Sequence, residues 1–399
     1  MSALLAVLLG LAAAGPCAGA EDDGWLATRM REAGSFSALL RDPEAHRLQI
    51  LVAELVIEAD GRPRLVPHGY RVGAQYVYPA SAIKTFVAVA AMRALAAIEA
   101  PPVDLDTPLA LCNSSARRCT ITRDRSNLGG GTVTVGHEIR KMQIVSDNRA
   151  FNRLYDFVGH RALNEDLQRL GFHDVHVEHR LSTSELPSMR RRTPRMQLRP
   201  GRALVERAAR DSDLTASITD PGVAVGHAHI GPGGGRKPGP MDFADRNAAP
   251  VCALQRLTVA LVAPTLAGVD LGLDPDHREF LLAAMQADPH ASKNPRFTDP
   301  AQSIDRFKPL LPGIARVLPA AQVQYVNKAG KAYGFHVENA FIKDTRSGRA
   351  FFVTAAIYAD RDGIVGDDNY AYADVSVPFF ADLGELLARA LLVAPSTSP

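Results

Sequence analysis

Ser81-Ala82-Ile83-Lys84 lies where the extended stretch from Gln75 to Pro79 turns into the apolar run from Phe86 to Ile98. A hydroxyl is thereby set beside an amine. If Ser81 opens a helix, the three-residue spacing puts the Lys84 ammonium on the same face one turn later, within reach of the serine oxygen. Burial and neighbouring cations favour loss of the lysine proton, so the pair can activate serine without histidine. A helix start also offers a backbone N–H to a developing oxyanion. The competing reading is a capped, half-exposed helix start, because serine and lysine are common residues.

Two further elements tip that balance. Ser146-Asp147-Asn148 follows the periodic segment Val135 to Val145, and Lys328-Ala329-Gly330 closes the β-like segment Gln322 to Asn327. The three motifs stand in the order used by penicillin-interacting serine enzymes. With their surroundings, YPASAIKTFVAVAAM, TVGHEIRKMQIVSDNRAFNRLYDFVG, LNEDLQRLGF, VNKAGKAYGF and the closing FFVTAAIYAD, they make the chain resemble a class A β-lactamase-related serine hydrolase over most of Leu48 to Leu392.

The resemblance implies a mechanism. Ser81 attacks an amide or lactam carbonyl while Lys84 takes its proton, and the N–H groups of Ser81 and Lys331 hold the oxyanion. Ser146 relays a proton to the leaving nitrogen in the field of Lys328. Asn148 bonds a substrate amide, Ala329, Gly330 and Lys331 line the binding strand, and Asp147 orders its turn.

Two positions depart from the family pattern. Arg180 matches an arginine that the family follows two residues later with a glutamate for the deacylating water, but this chain has Ser182 there. Glu185 is the nearest carboxylate and so the candidate base, against the alternative of a solvent-facing loop residue. Ala329 replaces a hydroxyl that binds the β-lactam carboxylate, a loss of about 1–3 kcal/mol. Lys331 is the candidate compensating cation.

Composition fits an enzyme with a substantial core. The 399 residues are 46% hydrophobic and 22% charged, and the net charge of +2 lacks the concentrated basic face that nucleic-acid binding needs. The cluster of Arg190, Arg191, Arg192, Arg195, Arg199 and Arg202 reads as a solvated loop. Residues 1–20 read as a secretory signal, with an apolar run from Leu4 to Ala14 and Ala18-Gly19-Ala20 before Glu21. A secreted or periplasmic protein without a stable membrane anchor is expected. Pro16 before Cys17 argues against lipid attachment. Cys112 and Cys119 bracket a short polar loop and can close a disulfide in an oxidising space, whereas Cys252, in an apolar stretch, reads as a buried thiol.

The pattern of elements predicts an α+β, two-lobed fold. Strands are expected at Leu48–Ala59, Gln322–Asn327, Tyr333–Lys343 and Ala350–Ala359, sharing one antiparallel sheet, with a terminal helix over Pro378–Leu392. An α/β lobe (about 40–85 and 320–395) faces an all-helical lobe (about 86–319) across the active site, in one hydrolase domain over 21–399. Helices are expected at Val135–Val158, broken at the Ser-Asp-Asn turn, Arg161–Leu170, Ala249–Val262 and Pro275–Gln286. The Pro- and Gly-rich stretch 186–245 reads as an insertion. His173, His176 and His179, and the pair His227 and His229, carry no carboxylate pattern and read as hydrogen-bonded or surface histidines, so no metal and no cofactor is expected. Gly231 to Gly235 lacks the setting of a phosphate loop.

These residues point to an exported, monomeric serine hydrolase with an acyl-Ser81 intermediate. Its expected substrate is a β-lactam, which would make it a resistance enzyme. A cell-wall D,D-peptidase or amidase acting on peptidoglycan-derived peptides is the alternative, as is a penicillin-binding sensor that acylates without turnover.

Overall fold

The computed structural model describes residues 24–112, 118–183, 185–216, 218, 220 and 222–393. The signal segment with Cys17 lies outside the described residues. Five strands form the path of the main sheet, in the order Val323–Asn327, Phe335–Asp344, Ala350–Tyr358, Gln49–Ile57, Pro63–Tyr70, and Gly330–Ala332 continues the first strand's pairing with Phe335–Asp344. Every pairing is antiparallel, including Leu51 opposite Thr354 and Ala340 opposite Val353.

Side chains alternate between two cores, as strand geometry requires. Ile50, Val52, Phe351, Val353, Ala355 and Ile357 face one core with Leu26, Met30, Leu383 and Leu387, which come from the helices Trp25–Ala33 and Val377–Leu387. Ala53, Phe352, Ala356, Phe335 and Val337 face the other, shared with the helix Lys84–Ala96 and its neighbours. Because both faces are covered, the strands read as continuous apolar runs in the sequence.

The helix Val251–Val262 packs on the sheet although its sequence position falls within the expected helical lobe. Two polar bonds pin it there: Gln255 Nε2 donates to the Leu51 carbonyl at 2.8 Å, and Asn339 Nδ2 donates to the Leu254 carbonyl at 2.8 Å. The rest of the second lobe is built on the helices Val135–Ile144, Asn148–Val158 and His160–Arg169 around Lys84–Ala96. Thr134 caps the first of these, its side chain accepting from the His137 N–H, and Asp147 caps the second by accepting from the Ala150 N–H.

This lobe is not helix alone. A four-stranded sheet joins Cys119–Ile121, Leu109–Cys112, Met196–Leu198 and Val205–Arg207. The stretch 186–245, expected as an insertion, therefore contains regular strands. Its first part supplies two strands of that sheet, and its later strand Ala228–Ile230 pairs in parallel with Ile364–Val365. Prolines and glycines there break long elements but leave two- and three-residue strands possible, which hydrophobic periodicity cannot detect.

Cys112 and Cys119 sit opposite each other and are bonded. Cys252 is also disulfide-bonded rather than the buried thiol expected from its apolar surroundings. Much of the arginine cluster is paired with acids, Arg190 with Asp245, Arg191 with Glu178, Arg192 with Asp211 and Arg195 with Glu206. Partners remote in sequence thus turn a charge run into a set of local ion pairs.

Candidate active site

Ser81 lies in a 3-10 turn, Ala80–Ile83, that feeds the α-helix Lys84–Ala96, so it precedes the α-helix rather than opening it. Ala80 is held at φ 47, a left-handed conformation that a residue with a Cβ adopts only when its surroundings enforce it. Gly330 supplies part of that enforcement. A Cβ on it would come within 2.5 Å of the Ser81 nitrogen and 2.7 Å of the Ala82 nitrogen. Only glycine lets the strand lie this close to the nucleophile's backbone.

Strand pairing also aims the N–H of Lys331, the second oxyanion donor that the resemblance implies. Lys328 donates its backbone N–H to the Asn339 carbonyl, and the same register continues through Gly330 opposite Val337 and Lys331 opposite His336. Hydrogen-bonding direction alternates along an antiparallel strand, so the Lys331 N–H points away from Phe335–Asp344, toward the side that Ser81 occupies.

Lys84 is fully buried, and its amine meets two obligate acceptors, the Ser146 carbonyl at 2.5 Å and Asn148 Oδ1 at 2.6 Å, and the Ser146 hydroxyl, which can donate or accept, at 3.0 Å. Lys328 Nζ reaches the same Ser146 hydroxyl at 3.0 Å and the Ala329 carbonyl at 2.8 Å. The four motif residues Lys84, Ser146, Asn148 and Lys328 therefore form one chain. The Ser81 hydroxyl makes no hydrogen bond to the described residues, and the Lys84 amine turns to Ser146 and Asn148, whose acceptors satisfy its buried protons. Such nucleophile contacts commonly tighten only when substrate is bound.

Two lysines on one hydroxyl repel, and both are buried. Desolvation, then the neighbouring Lys328, holds Lys84 well below the usual lysine range. Desolvation also brings Lys328 down to about 7. A neutral Lys84 keeps two N–H groups for the Ser146 carbonyl and Asn148 Oδ1, leaving its lone pair to take a proton from a serine hydroxyl.

The loop after Arg180 is organised differently. Arg180 is anchored by Asp156 at 3.0 Å and by Glu185 at 2.8 Å. Glu185 spends its carboxylate there and is not among the residues lining the cavity, so the structure does not bring the candidate deacylation base to Ser81. Ser182, at φ 52, faces the site and accepts a hydrogen bond from Asn148 Nδ2 at 2.7 Å. A hydroxyl thus occupies the near position and the carboxylate is drawn back, because the buried guanidinium of Arg180 needs a counter-charge.

Two cavities meet at Ser81. One, of about 190 Å³, is lined by Ser81, Ser146, Asn148, Arg306, Ala329, Gly330, Lys331 and His336. The other, of about 550 Å³, runs from Ser81 past Ser182 and His179 to a wall of Tyr78, Tyr333, Tyr370 and Tyr372 with Arg246 and Asp368. None of Arg306, Arg246, His336 or the tyrosine wall stood out in the sequence, since they come from segments far apart in the chain and belong to no motif. One signal was absent from the sequence altogether. Of the seven non-glycine residues at positive φ among the described residues, five line these cavities: Ala80, Ser146, Ser182, Tyr333 and Asp368. Backbone strain concentrates where function does.

Of the histidines read as unremarkable, His179 is buried with Nδ1 against the Arg180 carbonyl at 2.6 Å, and His229 bonds the Gly239 carbonyl at 3.0 Å. The described residues contain one cluster with the donor set of a cation site, Asp124, His137 and Glu138. Its carboxylates already hold Lys141 at 2.8 Å and Arg153 at 3.0 Å.

Residues 70–218 match the model of the beta-lactamase enzyme family. No curated protein matches the chain. Among solved structures, a beta-lactamase from Desulfarculus baarsii DSM 2075 aligns at 16% identity with a TM-score of 0.50, over 92% of this chain and 97% of that one. A beta lactamase from Xanthomonas campestris pv. campestris aligns at 17% identity and a TM-score of 0.49, over 94% and 100%. An ancestral class A beta-lactamase aligns at 17% and 0.47, over 90% and 99%. At 16% identity the first of these speaks for fold alone, whereas the family match spans both the Ser-x-x-Lys and the Ser-Asp-Asn residues. The segment 70–218 thus resembles the beta-lactamase enzyme family, and the fold of the chain is β-lactamase-like.

Proposed function

We propose that this protein is an exported hydrolase of the class A β-lactamase type that opens a cyclic amide, first of all a β-lactam, by forming an acyl-enzyme at Ser81. The observation carrying this reading is the chain Lys84–Ser146–Lys328, with Ser146 Oγ 3.0 Å from both amines. Neutral Lys84 takes the Ser81 proton as its oxygen bonds to the lactam carbonyl carbon. The oxyanion is held by the N–H groups of Ser81 and Lys331, each such donor contributing about 3 kcal/mol. As the C–N bond breaks, the Ser146 hydroxyl protonates the leaving nitrogen and is resupplied through Lys84. Arg306 and Lys331, lining the small cavity beside Ala329, receive the substrate carboxylate in place of the missing hydroxyl. The disulfide Cys112–Cys119 supports export to an oxidising compartment.

A second reading, acylation with little turnover, is favoured by the loop. Ser182 cannot serve as a carboxylate base, and Glu185 is held by Arg180. Intact-protein mass spectrometry after mixing with a penicillin separates the two. Product accumulating with a transient adduct supports a β-lactamase, and a stable adduct on Ser81 supports a penicillin-binding protein. Neither adduct nor product overturns the β-lactam assignment. Ser81→Ala abolishes the adduct and lowers any hydrolysis by roughly 10³-fold or more.

A further inference from the structure

Away from Ser81, three side chains stand in the order hydroxyl, imidazole, carboxylate. Ser212 Oγ is 2.8 Å from His160 Nδ1, and His160 Nε2 is 3.4 Å from Glu178 Oε2. His160 and Glu178 are buried, Ser212 is half-buried, and none of the three lines either cavity at Ser81. They come from different parts of the chain: His160 opens the helix His160–Arg169, Glu178 lies in the segment after that helix, and Ser212 sits in the stretch 211–216, which has no regular structure. Ion pairs on both sides of Ser212 hold that stretch, Arg192 with Asp211 at 3.0 Å and Arg161 with Asp213.

The direction of each hydrogen bond follows from its partners. A carboxylate only accepts, so the neutral imidazole carries its hydrogen on Nε2, toward Glu178, and turns the Nδ1 lone pair to Ser212. The Ser212 oxygen accepts from the Leu214 N–H at 3.3 Å, which leaves its own hydrogen for Nδ1. Arg191 Nε lies 3.6 Å from the same Glu178 Oε2 and sets a positive charge beside the carboxylate, while Glu178 Oε1 has no hydrogen-bond partner. A buried carboxylate so sparsely bonded can stabilise a positive charge that develops on the imidazole. These are the roles of a nucleophile, its base and the group that orients the base, with the two ring nitrogens exchanged relative to the usual order.

We propose that Ser212 is a second nucleophile of this protein, activated by His160 and oriented through Glu178, and that it takes an acyl group from small activated esters independently of Ser81. Its oxygen bonds to the acyl carbon as its proton passes to His160 Nδ1, the carbon–oxygen bond of the ester breaks, and the departing oxygen takes that proton from the imidazolium. The products are an acyl-Ser212 ester and a free alcohol or phenol. The half-buried position of Ser212 admits a small acyl group. The Leu214 N–H is committed to the serine oxygen rather than to an acyl oxygen, so the ester must supply a good leaving group.

The test is acetylation of Ser81→Ala, which lacks the first nucleophile, by p-nitrophenyl acetate, with the acetylated serines located and timed by peptide mass mapping. Ser212 should acquire the acetyl group roughly tenfold faster, or more, than any other serine. Labelling of Ser212 no faster than that of other serines overturns the proposal without any buried residue having been changed. Glu178→Gln keeps shape and removes charge, and should slow acetylation of Ser212 roughly tenfold or more. His160→Asn removes the base and should slow it by on the order of 10²-fold. Both rates are compared in proteins whose circular dichroism matches the parent, and an unchanged rate in either folded variant refutes the assignment, because a merely structural tie would not set the reactivity of the hydroxyl. No penicillin enters the readout, so Ser212 is decided separately from the function proposed for Ser81.

Discussion

Two walls of the same cleft handle a carboxyl group and a hydroxyl in opposite ways. On the acylating wall, Lys84, Ser146 and Lys328 converge on one oxygen and every polar partner points inward. On the facing wall, the loop 180–185 sends its carboxylate outward to Arg180 and offers Ser182 to Asn148 instead. Forming an ester and releasing it need different bases, and on the acyl-enzyme reading proposed above this protein has organised the first more completely than the second. The difference teaches that a cleft can hold a full set of acylating residues without fixing the fate of the acyl-enzyme.

The largest expected effect comes from wedging the acylating wall apart. Gly330→Ala puts a methyl group against three backbone atoms of the segment 79–82, which cannot rotate away as a side chain would. The rate of Ser81 acylation should fall by roughly 10²-fold, the scale of losing one oxyanion donor, with the fold retained by circular dichroism. An unchanged rate would mean that the strand does not set the oxyanion geometry.

Installing a carboxylate on the other wall sharpens the comparison. Ser182→Glu places an acceptor-only group where Asn148 now donates, and should shorten the lifetime of the acyl-enzyme by roughly tenfold, within the range of general-base catalysis. Adduct decay monitored by mass spectrometry reads this directly. No change would show that the loop lacks room for a water beside the ester.

Glu185→Gln is expected to do least to chemistry and more to the fold. Arg180 keeps Asp156 and two carbonyls but loses one charged partner, so stability should drop by about 1 kcal/mol while adduct lifetime stays within about twofold. A large loss of turnover without loss of thermal stability would restore Glu185 as the deacylation base.

The main elements were legible because they are long and strongly patterned. The helices Val135–Ile144, Asn148–Val158 and Pro275–Gln286 and the strands Phe335–Asp344 and Ala350–Tyr358 fall within a few residues of where periodicity put them. The strand Pro63–Tyr70 was missed, since its two prolines and exposed start hide it at the sheet edge. The first helix, Trp25–Ala33, was missed too: it is short, lacks a side-chain cap, and gains its stability by burying Leu26 and Met30 against the sheet.

Residue type and local spacing suggested the Ser81–Lys84 pair, and the family resemblance marked Ser146, Asn148 and Lys328 and showed that Ser182 stands where a glutamate was due, because such motifs are short and carried within single turns. Tertiary structure decided what charge each of those groups feels. It brought Lys328 to the hydroxyl that Lys84 also holds, gave Glu185 to Arg180 and set Arg306 beside Ala329. These are contacts between segments up to 182 residues apart, and the energies that fix a proton depend on distance and burial, which spacing along a chain does not specify.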